Sequence, residues 1–211
     1  MKKFLTAIFA ILMAAPSFAQ FHTGGFSVDK NNLYFGGRIG FTVASVTGDI
    51  PLTDKLGSKA GMTLGAVVGL RLSESTPVFL ESGLYYTERG AKKNKVTLGY
   101  NNLEIPLLVK YGFQLSEEIA ILPFFGPTFA YAIGGKLKND SGDKISSFDN
   151  DDSILWPGLN RANMGLRLGC GGEYNNIYLE IAYQLGVTNI SKDDKYSSHS
   201  SGLMVNFGVN F

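Results

Sequence analysis

Residues 202–211 constrain the fold more than any other stretch of this chain. Leu203, Val205, Phe207, Val209 and Phe211 share one face of an extended strand, and Met204, Asn206, Gly208 and Asn210 share the other. The apolar face runs unbroken to a terminal aromatic residue. A soluble domain rarely leaves such a strand exposed at a sheet edge, because a long apolar edge templates aggregation. A closed barrel in a membrane removes the edge and lets lipid solvate the apolar face.

The amino-terminal residues are consistent with export. Lys2 and Lys3 precede an apolar run over residues 4–15, Pro16 breaks it, and Ser17-Phe18-Ala19 has the small-x-small form of a cleavage site. The run is shorter than the roughly 20 residues that span a bilayer as a helix. Residues 1–19 are therefore expected to be a secretory signal peptide and residues 20–211 an outer-membrane β-barrel domain. Of 19 Lys+Arg, loss of Lys2 and Lys3 leaves 17, against 18 Asp+Glu. A chain so near neutrality lacks the basic surface that nucleic acid requires, so no nucleic-acid partner is expected.

No long apolar run follows the signal, which excludes helical membrane spans. Cys170 is the one cysteine, so no internal disulfide can form. Leu168-Gly169-Cys170 superficially resembles a lipoprotein acylation box, but it lies far from the signal. Cys170 is read as a small apolar strand residue.

Alternating segments recur at 34–44, 61–72, 78–89, 102–113, 120–134, 163–174, 177–188 and 202–211. Each approximates the 9–11 residues that a tilted transmembrane strand requires. In 120–134 the outward face is expected to carry Phe125, Phe129, Tyr131 and Ile133. The connections alternate strictly: 45–60, 90–101, 135–162 and 189–201 are long, whereas 73–77, 114–119 and 175–176 are short. Asn175-Asn176 suits a tight hairpin, since Asn tolerates positive φ. All long connections then fall at one end of an antiparallel meander, as in outer-membrane barrels.

The expected fold is all-β, an eight-stranded antiparallel up-and-down transmembrane β-barrel in the cell outer membrane. A soluble lipocalin-type barrel would share the strand count and the export signal but invert the faces. Glycine and paired charges on the polar face, and aromatics near strand ends on the apolar face, favour the membrane reading.

Residues 100–111, Tyr-Asn-Asn-Leu-Glu-Ile-Pro-Leu-Leu-Val-Lys-Tyr, resemble a strand of the PorT-like outer-membrane β-barrel family, common in Bacteroidota. The stretches 123–127, 168–174 and 183–190 resemble its later strands, so the likeness covers nearly the whole mature chain. The alternating last strand ending in Phe211 likewise resembles the terminal signature of bacterial outer-membrane barrels. The resemblance implies fold and location. One named relative is associated with secretion of extracellular proteases, but that role is not carried over to this chain.

The polar face carries Arg38, Arg71, Arg89, Lys110 and Arg167 against Glu81, Glu104, Glu173 and Glu180. The interior of an eight-stranded barrel is just wide enough for side chains to fill, so these charges are expected to form an ion-pair network that plugs the lumen. Strand adjacency suggests Arg71 with Glu81 and Arg89 with Glu104. Glu173 and Glu180 would take Lys110, Arg38 or Arg167. The alternative is a small or gated porin-like pore, opened by exchange of ion-pair partners.

His199, amid Ser197, Ser198, Ser200 and Ser201 with Asp193 and Asp194 nearby, allows a lipid-modifying Ser/His/Asp set to be drawn. A solvated serine-rich loop is the expected reading. His22 is remote, so no paired-histidine metal site is expected. Asp140, Asp143, Asp149, Asp151 and Asp152 cluster in one loop, but Ile154 and Asn160 stand where an EF-hand places glycine and the bidentate acid. Trp156-Pro157 is expected to fold this loop over the barrel rim.

No cofactor and no enzymatic activity are expected. Expected partners are outer-membrane lipid, the barrel-assembly machinery acting through the C-terminal strand with Phe211 as assembly signal, and an extracellular or secretion-system protein.

Overall fold

The computed structural model describes residues 32–49, 56–93, 96–138, 144–150, 156–193 and 195–211. The expected signal peptide lies outside these residues, as do His22, Asp140, Asp143, Asp151, Asp152, Ile154 and Asp194.

The strands are β1 (Leu33–Gly48), β2 (Gly57–Arg71), β3 (Val78–Lys93), β4 (Val96–Tyr111), β5 (Phe113–Gln114), β6 (Ile119–Lys138), β7 (Lys144–Ser146), β8 (Ala162–Tyr174), β9 (Ile177–Gly186) and β10 (Ser198–Asn210). Neighbours pair antiparallel in the cyclic order β1-β2-β3-β4-β6-β8-β9-β10. Pairing of β1 with β10 closes the ring, with Ile39 opposite Phe207 and Val43 opposite Leu203. The short β5 and β7 add to the two ends of β6. The result is a closed eight-stranded barrel. Asn175 in the β8–β9 turn has φ 53°, the conformation that asparagine tolerates.

The apolar face of each strand points away from the barrel axis. Phe41, Met62, Ile105, Phe129, Leu168, Ile181 and Phe207 are exposed, whereas Arg38, Thr63, Glu104, Lys110, Arg167, Glu180 and Asn206 are buried. Phe125, Phe129, Tyr131 and Ile133 face outward. A lipocalin-type barrel would bury the first set and expose the second, so the soluble alternative does not hold.

β3 and β4 run well past the apolar band at the end with the long connections. In the segment expected as loop 90–101, residues 90–93 and 96–101 are instead strand, with Gly90 paired to Gly99 and Lys92 to Thr97. Here the pattern inverts. Inward positions become apolar (Ala91, Leu98, Tyr100, Leu137), and outward positions become polar (Glu88, Lys92, Thr97, Asn101). A strand leaving lipid for water must exchange its faces in this way, because the outer solvent changes while the interior still has to be filled.

Candidate functional site

The inward faces bring the charged residues together in two groups. Toward the end with the short turns, Glu81 on β3 accepts from Lys110 Nζ at 2.7 Å and Tyr34 Oη at 2.7 Å, with Arg38 Nη2 at 3.6 Å. Lys110 also donates to Tyr178 Oη at 2.8 Å, and the Arg38 guanidinium lies 4.1 Å from the Tyr178 ring centroid. Arg38 Nη2 donates to Asn210 Oδ1 at 2.6 Å, and Asn210 Nδ2 donates to both Glu173 oxygens. This chain of bonds links β8, β10, β1, β3, β4 and β9 across the barrel.

The second group centres on Glu104 of β4. Arg89 Nε donates to Oε1 at 2.7 Å, and Arg167 Nη2 donates to Oε2 at 2.8 Å. Gln184 Oε1 accepts twice from Arg167, at 2.9 and 3.1 Å. Glu180 accepts from Asn206 Nδ2 at 2.7 Å. Desolvated charges are tolerable only with such partners.

Two sequence-based pairings are corrected. Arg71 stands opposite Phe79 near the short-turn rim and donates to the Ser73 and Glu74 carbonyls, while Glu81 takes Lys110 and Arg38 instead. Antiparallel register sets Gly69, not Arg71, across from Glu81. Glu173 and Glu180 take Asn210 and Asn206 of the terminal strand as hydrogen-bond partners rather than the expected cations. Asn206 and Asn210 lay on the face of the last strand opposite its apolar residues, as read from the sequence. The Asn206 amide meets the Glu180 carboxylate on the adjacent strand, the Asn210 amide reaches Glu173 two strands away, and Gln184 accepts from Arg167, partners that sequence alone does not assign.

Tyrosines complete the packing. Tyr34, Tyr85 and Tyr178 are buried, and each ring covers an inward glycine of a neighbouring strand: Gly69, Gly65 and Gly171 respectively. A Cβ on Gly69 would stand 2.1 Å from the Tyr34 ring. This explains why the polar face is dense in glycine: the missing side chains are the space that the rings occupy.

At the long-connection end an apolar cluster fills the barrel mouth. Phe148, Trp156, Leu159 and Ile190 pack against Val46, Leu98, Tyr100, Ala132 and Leu137. Trp156 is fully buried, and its Nε1 donates to the Ser147 carbonyl at 3.3 Å. Phe148, Trp156 and Leu159 therefore sit in the mouth, against the inward side chains of the extended strands.

His199 does not meet Asp193. Its Nδ1 lies 3.1 Å from the Thr188 carbonyl and its Nε2 3.3 Å from Ser197 Oγ, while Asp193 Oδ1 accepts from the Lys195 backbone N–H. Ser198 and Ser200 face inward, with Ser200 Oγ accepting from Tyr100 Oη at 2.6 Å, whereas Ser201 lies on the alternate side. Among the described residues no cluster of His, Cys, Asp and Glu could hold a metal ion; Asp149 belongs to none. Cys170 is free and exposed on the lipid face of β8.

A closed antiparallel barrel, apolar outside and ion-paired inside, is a transmembrane β-barrel. The chain belongs to the family described as the outer membrane protein beta-barrel domain, which residues 18–192 match, and it is a protein of the outer membrane. Among solved structures, it is similar to the attachment invasion locus protein Ail of Yersinia pestis, crystallised with the heparin analogue sucrose octasulfate. That match has 16% identity over 86% of this chain and 100% of that chain, with TM-score 0.45. Neisserial surface protein A matches at 16% identity over 86% and 98%, TM-score 0.48, and OprG of Pseudomonas aeruginosa at 12% over 84% and 95%, TM-score 0.45. No curated protein matches.

Proposed function

We propose that this chain is a non-enzymatic, PorT-like outer-membrane barrel whose lumen is closed by its own side chains and which acts through its outer end. Its role is structural or interactive, with an extracellular or secretion-system protein as partner. The observation that carries this reading is the stacking of fillings along one axis: the Glu81 group, the Glu104 group and the Trp156 cluster. The 100–111 motif supports the PorT-like, Bacteroidota-type assignment. Residues 1–19 are removed as a signal peptide. Phe211 serves as the assembly signal read by the barrel-assembly machinery, which the outward position of its side chain supports.

The test is conductance of the purified full chain in planar bilayers. A closed lumen gives no sustained current, and steady ion flow refutes it.

A gated pore is the second reading. Arg89 Nη1, Arg167 Nη1, Asn102, Thr42, Thr128 and Glu180 Oε2 are buried without hydrogen-bond partners. Such atoms favour a rearrangement that would satisfy them. Current that appears only under voltage or altered pH would support this reading.

A further inference from the structure

We infer that the outer face of the β2-β3-β4-β6-β7 extension binds phosphate-bearing headgroups of the outer-leaflet glycolipid through Lys59, Lys92, Lys136, Lys138 and Lys144. Leu137 and Ile145 turn inward to the apolar cluster, so Lys136, Lys138 and Lys144 turn outward on the same sheet. Lys92, Thr97, Lys138 and Lys144 form one cross-strand row. Gly99 pairs with both Gly90 and Lys136 in the next row. Lys59 lies within the register shift between Ser58 and Thr63 of β2, and its stem lies over the bare Gly90–Gly99 pair, with Nζ 3.9 Å from where a Gly99 Cβ would sit.

Two features point to an anionic occupant. Lys138 stands directly across from Lys144, and like charges in that position destabilise a sheet. Among the described residues no salt bridge reaches any of the five lysines, whereas the interior cations Arg38, Arg89, Lys110 and Arg167 all have carboxylate partners.

Height selects lipid over a soluble polyanion. Ile133 is the last outward apolar residue of β6 before Lys136. Three residues of strand rise about 10 Å, or about 7–8 Å along the membrane normal at a tilt of roughly 40°. The headgroup layer outside the hydrocarbon is about 5–8 Å thick. The lysines thus stand at and just above the headgroups, on a face continuous with the lipid-exposed wall. Cations in that position are attracted to anionic lipid, with an effect of about fivefold in affinity each.

The test places the full chain in phosphatidylcholine nanodiscs containing lipid A or dephosphorylated lipid A. Retained lipid is read by native mass spectrometry, and folding by heat-sensitive gel mobility. The wild type is expected to retain lipid A about tenfold or more over its dephosphorylated form. Lys92→Gln, Lys136→Gln, Lys138→Gln and Lys144→Gln are expected to erode that preference by about fivefold each. Lys195→Gln, on the β9–β10 loop across the barrel, leaves it intact. Lys144→Glu gives an independent reading: opposite charges then face each other, so the thermal midpoint rises in pure phosphatidylcholine while the lipid A preference falls. Equal retention of the two lipids by the wild type overturns the proposal, as does a preference that survives all four glutamines. Capture of soluble heparin without discrimination between the lipids also overturns it.

Discussion

Truncation of Glu104 to alanine tests whether the barrel interior is dry. The carboxylate neutralises two guanidinium groups, those of Arg89 and Arg167, whose side chains have 2% and 0% exposure. After truncation Arg167 keeps Gln184, but Arg89 keeps only the Met204 sulfur at 3.9 Å. Breaking a buried ion pair at one partner costs about 3–5 kcal/mol, because a desolvated charge is left behind. Here Arg89 carries most of that cost. Glu104→Gln retains one acceptor oxygen and is expected to cost about 2 kcal/mol, in the range of a hydrogen bond to a charged group. Arg71→Ala, at the rim, should cost about 1 kcal/mol or less. Urea unfolding in lipid vesicles, followed by far-UV circular dichroism and by the mobility of unheated protein on gels, ranks the three. Replacing the set with apolar residues of similar size (Arg89→Met, Glu104→Leu, Arg167→Met) is expected to recover most of the loss, since no charge remains to be solvated. A Glu104→Ala cost below about 1 kcal/mol would mean that water already solvates the arginines, and the account of a side-chain-filled interior would fail.

Three further outcomes follow from the geometry. Gly69→Ala drives a methyl into the Tyr34 ring, and overpacking of this kind costs about 1–3 kcal/mol in the same unfolding assay; adding Tyr34→Ala should relieve the clash. Trp156→Ala empties the centre of the apolar mouth cluster, costing about 3–5 kcal/mol, and hydrogen exchange should rise at Ser147 and Leu159 before it rises in the lipid-embedded strands. Ile181→Arg places a charge on the lipid face near the middle of β9 and should cost about 2–4 kcal/mol in vesicles, whereas a water-exposed position would change by less than about 0.5 kcal/mol.

The wall of the barrel was legible because its period is 2 and its two solvents differ. Phe41, Ile105, Leu168 and Phe207 could be assigned to one face and Arg38, Glu104 and Arg167 to the other by parity alone. Strand ends at the outer side were not legible. The faces invert where β3 and β4 leave the lipid, so Ala91, Leu98 and Tyr100 read as loop when they are inward strand residues. Register shifts between Ser58 and Thr63 and at Asn101/Asn102 further break the parity there. The lysine face of β6 and β7 was hidden for the same reason, since Lys138 and Lys144 become neighbours only through the pairing of β6 with β7.

Composition and alternation by themselves determined an eight-stranded meander, its long and short ends, and which residues face lipid. These are local properties, set by side-chain direction and by turn length. Tertiary structure decided the partners. Glu81 passes over Arg71 for Lys110 and Arg38, Asn206 and Asn210 take the carboxylates of β8 and β9, and Trp156 fills the mouth rather than covering the rim. Such choices depend on register and on distances across the closed barrel, and closure brings together residues whose separation along the chain says nothing of their distance in space.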